Sequence, residues 1–84
     1  GQNDAELAIT RAYLLLARGQ LGEARGALAG VRAVSDVTRA ELAHAGALVA
    51  HYLGNSREAK TYADQAVRPR PGTPRYVALW AIVT

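Results

Sequence analysis

Gly54-Asn55-Ser56-Arg57-Glu58-Ala59 carries the same punctuation as Gly19-Gln20-Leu21-Gly22-Glu23-Ala24, displaced by 35 residues. Gly falls on Gly, Glu on Glu and Ala on Ala. The same shift lays Glu6-Leu7-Ala8 on Glu41-Leu42-Ala43, and Leu7-Ala8 again on Val77-Ala78. A repeat of this length with helical patterning predicts an all-α fold, a right-handed array of stacked antiparallel helical hairpins. Arrays of this kind bind other proteins along a groove, so the expected class is a binding module.

Working outward from the two glycines gives five helices. Helix one is expected from about Asp4 or Ala5 to Arg18, with Asn3 or Asp4 as its cap and Gly19 as its stop. Helix two is expected from Leu21 to Val34, with Ala24, Ala27, Leu28, Val31 and Val34 on one apolar face. Gly22, Gly26 and Gly30 weaken that helix, or else permit a close approach of a neighbour. Ser35-Asp36 supplies the next start signal, and helix three is expected from Val37 to Leu53. Asn55 with Glu58 has the spacing of a capping box. Helix four then runs over Ser56–Val67, burying Ala59, Tyr62, Ala63 and Ala66. Three prolines in Arg68-Pro69-Arg70-Pro71-Gly72-Thr73-Pro74 interrupt the helices, and Thr73-Pro74 opens helix five, which runs through Val83. The Pro71-x-x-Pro74 spacing is therefore assigned to a turn rather than to a Pro-rich recognition motif. The chain reads as one domain, with units over about 4–36 and 37–71 and a terminal helix over 74–83.

Composition excludes more than it identifies. There is no Cys, hence no disulfide framework or thiolate chemistry. Nothing resembles a signal peptide, and no apolar run approaches the ~18 residues of a membrane span. A cytoplasmic setting is the expectation. The chain begins at Gly1 without an initiator Met, which suggests a segment of a longer protein. Its Ala, Arg and Gly content suggests a bacterial source of high GC. The net charge is +3, and Arg supplies nine of the ten basic residues. Arg11, Arg18, Arg25, Arg32 and Arg39 recur every seven residues, which reads as a solvated outer stripe on successive helices. A surface for nucleic acid is the lesser reading, because no interleaved aromatics accompany the stripe.

No residue pattern points to catalysis. The glycines lack the strand and the Lys-Ser/Thr of a phosphate loop. No nucleophile has a base and an orienting acid near it in sequence. His44 and His51 lie about 10.5 Å apart along a helix, too far to share one metal. Glu41-x-x-His44 has the spacing used in di-iron bundles, but such sites need two of these pairs and further carboxylates. No cofactor, metal or catalytic residue is assigned.

These residues together resemble a tetratricopeptide repeat domain, over nearly the whole chain. Gly19 and Ala24, then Gly54 and Ala59, match the glycine of the tight turn and the early alanine of the second helix. Pro71 matches the proline that follows a unit, where the first unit has Asp36. The chain departs from the family at Ala8 and Ala43, where an aromatic is usual. It departs again at Leu28 and Ala63, which stand at a large-aromatic position, and at Arg11-Ala12 and Gly46-Ala47, in place of Leu-Gly. Related helical-hairpin repeats of bacterial regulators fit about as well.

The resemblance implies that the first helix of each pair lines a concave surface. Carried over, that surface comprises Glu6, Ile9, Tyr13 and Leu16, then Glu41, His44, Leu48 and His51, with Tyr76, Leu79 and Val83 added by helix five. It implies a protein or peptide partner without acidic character, since Glu6 and Glu41 stand where carboxylate-clamping members carry basic groups. Each apolar member also reads as ordinary core. A second expectation concerns helix five, which is apolar nearly all round. Tyr76, Leu79, Trp80, Ile82 and Val83 would then form a self-association surface, as in a regulatory domain of a bacterial transcription regulator.

Overall fold

The computed structural model describes the backbone of residues 2–33 and 35–84 and the side chains of 4–33 and 35–84. Among these the chain forms five α-helices and no strand. They are α1 (Gln2–Ala17), α2 (Leu21–Leu28), α3 (Asp36–Tyr52), α4 (Ser56–Val67) and α5 (Pro74–Val83). The all-α class read from the sequence is the observed one. Gly1, the side chain of Asn3 as a cap, and Val34 as part of a helix-two face lie outside the described residues.

The repeated hexapeptide makes the same turn twice. Gly19 ends α1 at φ 75°, with Gln20 N–H donating to Leu15 O (2.9 Å) and Gly19 N–H to Leu16 O (3.0 Å). Gly54 follows α3 at φ 81°, with Asn55 N–H donating to Ala50 O (2.8 Å) and Gly54 N–H to His51 O (3.1 Å). Both are Schellman closures, whose left-handed residue favours glycine. Ala24 N–H and Ala59 N–H then bond Gln20 O and Asn55 O, each at 2.9 Å, to start the next helix. Asn55 and Glu58 pair side chain to side chain (3.1 Å), so the expected capping box does not cap the backbone. Ser35 does cap α3, accepting from Thr38 N–H at 3.1 Å, and the helix starts at Asp36.

α2 is shorter than its pattern predicts. It stops at Leu28, Ala29 turns extended, and Gly30 takes φ 73°. Gly22 and Gly26 lower its propensity, and of its eight residues only Ala24 is buried. A Cβ placed on Gly22, Gly26 or Gly30 meets nothing within 4 Å, so these glycines permit no close approach. That role belongs to Gly46 of α3, where a Cβ would come within 3.2 Å of the Tyr62 ring.

α3 is the axis of the molecule and contacts the other four helices. Its alanines let α4 and α5 settle on it in two adjacent clusters. Ala40 and Ala43 meet Ala66 and Tyr76, with Val67 at the edge. Ala47 meets Ala63 and Leu79, flanked by Leu48, Tyr62 and Val83. No large described side chain is completely enclosed, so the apolar stabilisation comes from many small contributions, at roughly 25 cal/mol per Å².

The five arginines spaced by seven are all exposed, as the solvated reading expects. Arg11, Arg25 and Arg39 sit on three different helices, while Arg18 and Arg32 lie in connections. Arg25 pairs with Glu58 (3.2 Å) and Arg39 with Asp36 (3.6 Å). No helix among the described residues is long and apolar enough to cross a membrane.

Candidate functional site

Three helices converge on one carboxylate. Glu41 lies in the second turn of α3, facing Tyr13 of α1 and the first turn of α5. Its Oε1 accepts from the Tyr76 hydroxyl (2.6 Å) and from Arg75 Nη2. Its Oε2 accepts from Arg75 Nη1 (2.9 Å) and from the Tyr13 hydroxyl. Two phenols and a forked guanidinium thus fill the roughly four lone-pair positions of one carboxylate.

The electrostatics follow from this arrangement. Partial burial pushes the Glu41 carboxyl upward, but donation by Tyr13, Tyr76 and Arg75 and the guanidinium charge outweigh it. The group is held below its ordinary 4.5. Burial first, then the bond to Glu41, pushes the Tyr76 hydroxyl up to about 12 and Tyr13 higher still. The carboxylate partner raises Arg75 further. Both phenols therefore act as donors at neutral pH, and the site holds one negative and one positive charge.

His44 lies one turn along α3, behind the carboxylate, and is buried. Its ring stands 4.9 Å from that of Tyr76 and 6.5 Å from that of Tyr13. Burial lowers its pKa below 6.5 and Arg75 adds to the effect, while the charge of Glu41 works against them.

A cavity of about 340 Å³ opens beside the carboxylate between α1, α3 and α5. Glu6, Ile9 and Tyr13 line one side of it, Val37, Thr38 and Glu41 the other, with Thr10 and Arg75 at its borders. Four residues expected on a concave surface, Glu6, Ile9, Tyr13 and Glu41, are thus brought together. Tyr76 joins them through its hydroxyl on Glu41, and the remainder do not. His44 sits beneath the site rather than in it, and Leu16 is half-buried. Leu48 packs into the α3–α4–α5 core. His51 is exposed at the far end of α3, against Tyr52 at 5.6 Å between rings.

The expected self-association surface on α5 is corrected in part. Tyr76 and Leu79 are 4% and 6% exposed, because the chain's own α3 and α4 cover them. Val83 is half-buried in the same seam, so Leu79 and Val83 pack within the chain, while Tyr76 meets the site through its hydroxyl and the ring face beside Arg75. Only Trp80 and Ile82 of that set are exposed, together with Val77.

No protein-family model matches the chain, and no curated protein or solved structure matches it significantly.

Arg75 is the site residue that sequence reading missed. A cation beside Pro74 at the head of an apolar helix looks like a solvated terminus. No pattern in the sequence pairs it with Glu41, 34 residues away.

Proposed function

We propose that this chain is a non-catalytic, tetratricopeptide-like binding module, built from helical hairpins, that takes a segment of a partner protein in the cavity between α1, α3 and α5. The observation that carries this reading is the cavity itself. Ile9 and Val37 offer apolar walls, Glu6 offers a carboxylate at the rim, and the Glu41 cluster ties all three helices beneath it. Further support comes from the turn made identically at Gly19 and Gly54. A walled, preorganised cleft suits an amphipathic helix that inserts an apolar residue and sets a basic one at the rim. Glu41 is paired with Arg75, so Glu6 at the rim supplies the first attraction for that basic residue.

The test is an amide-shift titration with a designed helical peptide, leucine on one face and arginine on its edge. The expected result is shifts clustered at Ile9, Thr10, Val37 and Thr38. Absence of shifts there at millimolar peptide sinks the reading.

The exposed Val77, Trp80 and Ile82 support a second reading, self-association through the outer side of α5. Light scattering across a hundredfold concentration range separates the two. A dimer that Trp80→Glu converts to monomer supports the second, and a monomer throughout supports the first.

A further inference from the structure

We propose that Arg75 is an internal stand-in for an arginine of the partner, which replaces it on Glu41 when the cavity is filled; this rests on the binding reading above. The carboxylate is held in two different ways. Tyr13 and Tyr76 grip it from α1 and from the inner side of α5, and both phenols are part-buried. Arg75 approaches from outside with a side chain 58% exposed, while that of Glu41 is 21% exposed.

Arg75 is the exposed member of the pair, so it is the group an incoming guanidinium can reach and replace, leaving the carboxylate in place on its two phenols. What remains is a preorganised anion at the cavity wall with two vacated acceptor positions. A forked guanidinium matches that pair of positions, and a point-like ammonium does not. The Tyr76 face, over which the Arg75 guanidinium now lies at 5.1 Å, provides a stacking place for the incoming group. Ile9 and Val37 would flank its aliphatic stem. Glu6, two turns from Tyr13 on the same face of α1, adds a second negative charge. His44 sits behind the carboxylate, and its burial disfavours a charge that would repel the newcomer. The tethered Arg75 competes at the high local concentration of an intramolecular group, so the unmodified chain would bind an arginine ligand only weakly.

The test compares the whole chain with R75Q, R75K and E41Q, using the helical peptide above and a twin with Gln in place of its arginine. R75Q is expected to bind the arginine peptide about tenfold tighter or more, with R75K between it and the natural chain. E41Q is expected to keep only the weak preference for the arginine peptide that Glu6 supplies. The natural chain should still favour the arginine peptide over its twin, which keeps the test alive if R75Q does not fold. Equal affinity of R75Q and the natural chain, with shifts still at Ile9 and Val37, overturns the exchange and leaves the binding reading standing. No shifts at those amides in any folded variant overturns both. Tighter binding of a peptide with Glu at that place, lost in R75Q, also overturns the exchange, because Arg75 would then be the anchoring group itself.

Discussion

Helices α2 and α4 leave the same glycine turn with the same first hydrogen bonds, yet α2 runs for 8 residues and α4 for 12. α4 buries Ala59, Ala63 and Ala66, one residue per turn, against α3 and α5. α2 buries Ala24 alone and carries Gly22 and Gly26 in its body. The turn is a local code, fulfilled by a glycine that accepts positive φ. The length of the helix after it is decided by burial and propensity. Both helices pack against two others, but α4 buries three residues and α2 one, so the C-terminal half holds more of the packed core.

The sharpest way to break that comparison is to empty a core position in one half and a matching one in the other. Leu79→Ala removes a 6%-exposed side chain from the α3–α4–α5 seam. It is expected to cost about 2–5 kcal/mol in urea-unfolding experiments followed by circular dichroism. Leu28→Ala, in half-buried α2, is expected to cost less than half as much. Equal losses would mean that α2 contributes as much as α4 and that the asymmetry is only one of helix length.

Next in size is the carboxylate that binds the halves together. Glu41→Gln replaces a charged acceptor with an amide and weakens the donation of two phenols and a guanidinium. A loss of about 1.5–3 kcal/mol is expected. The pH dependence identifies the source. Because the folded pKa of Glu41 lies below 4.5, its contribution is complete above 4.5 and is lost as pH falls through the depressed value. His44, also depressed, makes stability fall with acid from about 6.5 downward. Tyr13 and Tyr76 are raised, so stability is complete below 10 and declines as pH climbs toward 12. Urea midpoints measured across pH should thus drop at both ends, and Glu41→Gln should flatten the limb below 4.5. An unchanged acid limb in the variant would show that the cluster adds nothing to folding.

Much of this was legible. Gly19 and Gly54 marked both closures, because positive φ is a one-residue requirement. Ser35 marked the start of α3, and Pro74 that of α5. The buried face of α4 followed from alanines at three- and four-residue spacing. What was not legible depended on which faces meet. Val31 continues the apolar pattern of α2, but it is only half-buried beside Asp4 and Ala5 of α1, and the backbone leaves the helix before reaching it. Tyr76 and Leu79 looked like surplus apolar residues on a terminal helix, and α3 and α4 cover them. Glu6, Ile9, Tyr13 and Glu41, which line the cavity, were expected on one surface only through the family resemblance, not from the residues themselves. Arg75 escaped because its role depends on a carboxylate 34 residues away.

The glycines test the comparison at single-atom scale, with opposite signs in the two halves. Gly46 faces the Tyr62 ring, which leaves no room for a larger side chain between α3 and α4. Gly46→Leu is expected to destabilise by about 1–3 kcal/mol through overpacking. Gly26 is exposed on α2 with nothing within 4 Å of a would-be Cβ. Gly26→Ala therefore meets no clash and gains helix propensity, a stabilisation of up to about 1 kcal/mol. Its amide exchange should slow at Ala27, Leu28 and Ala29, because the change acts where the helix now ends. If Gly26→Ala leaves stability and exchange unchanged, propensity is not what stops α2, and the extended backbone at Ala29 with Gly30 beyond it would be the dominant stop.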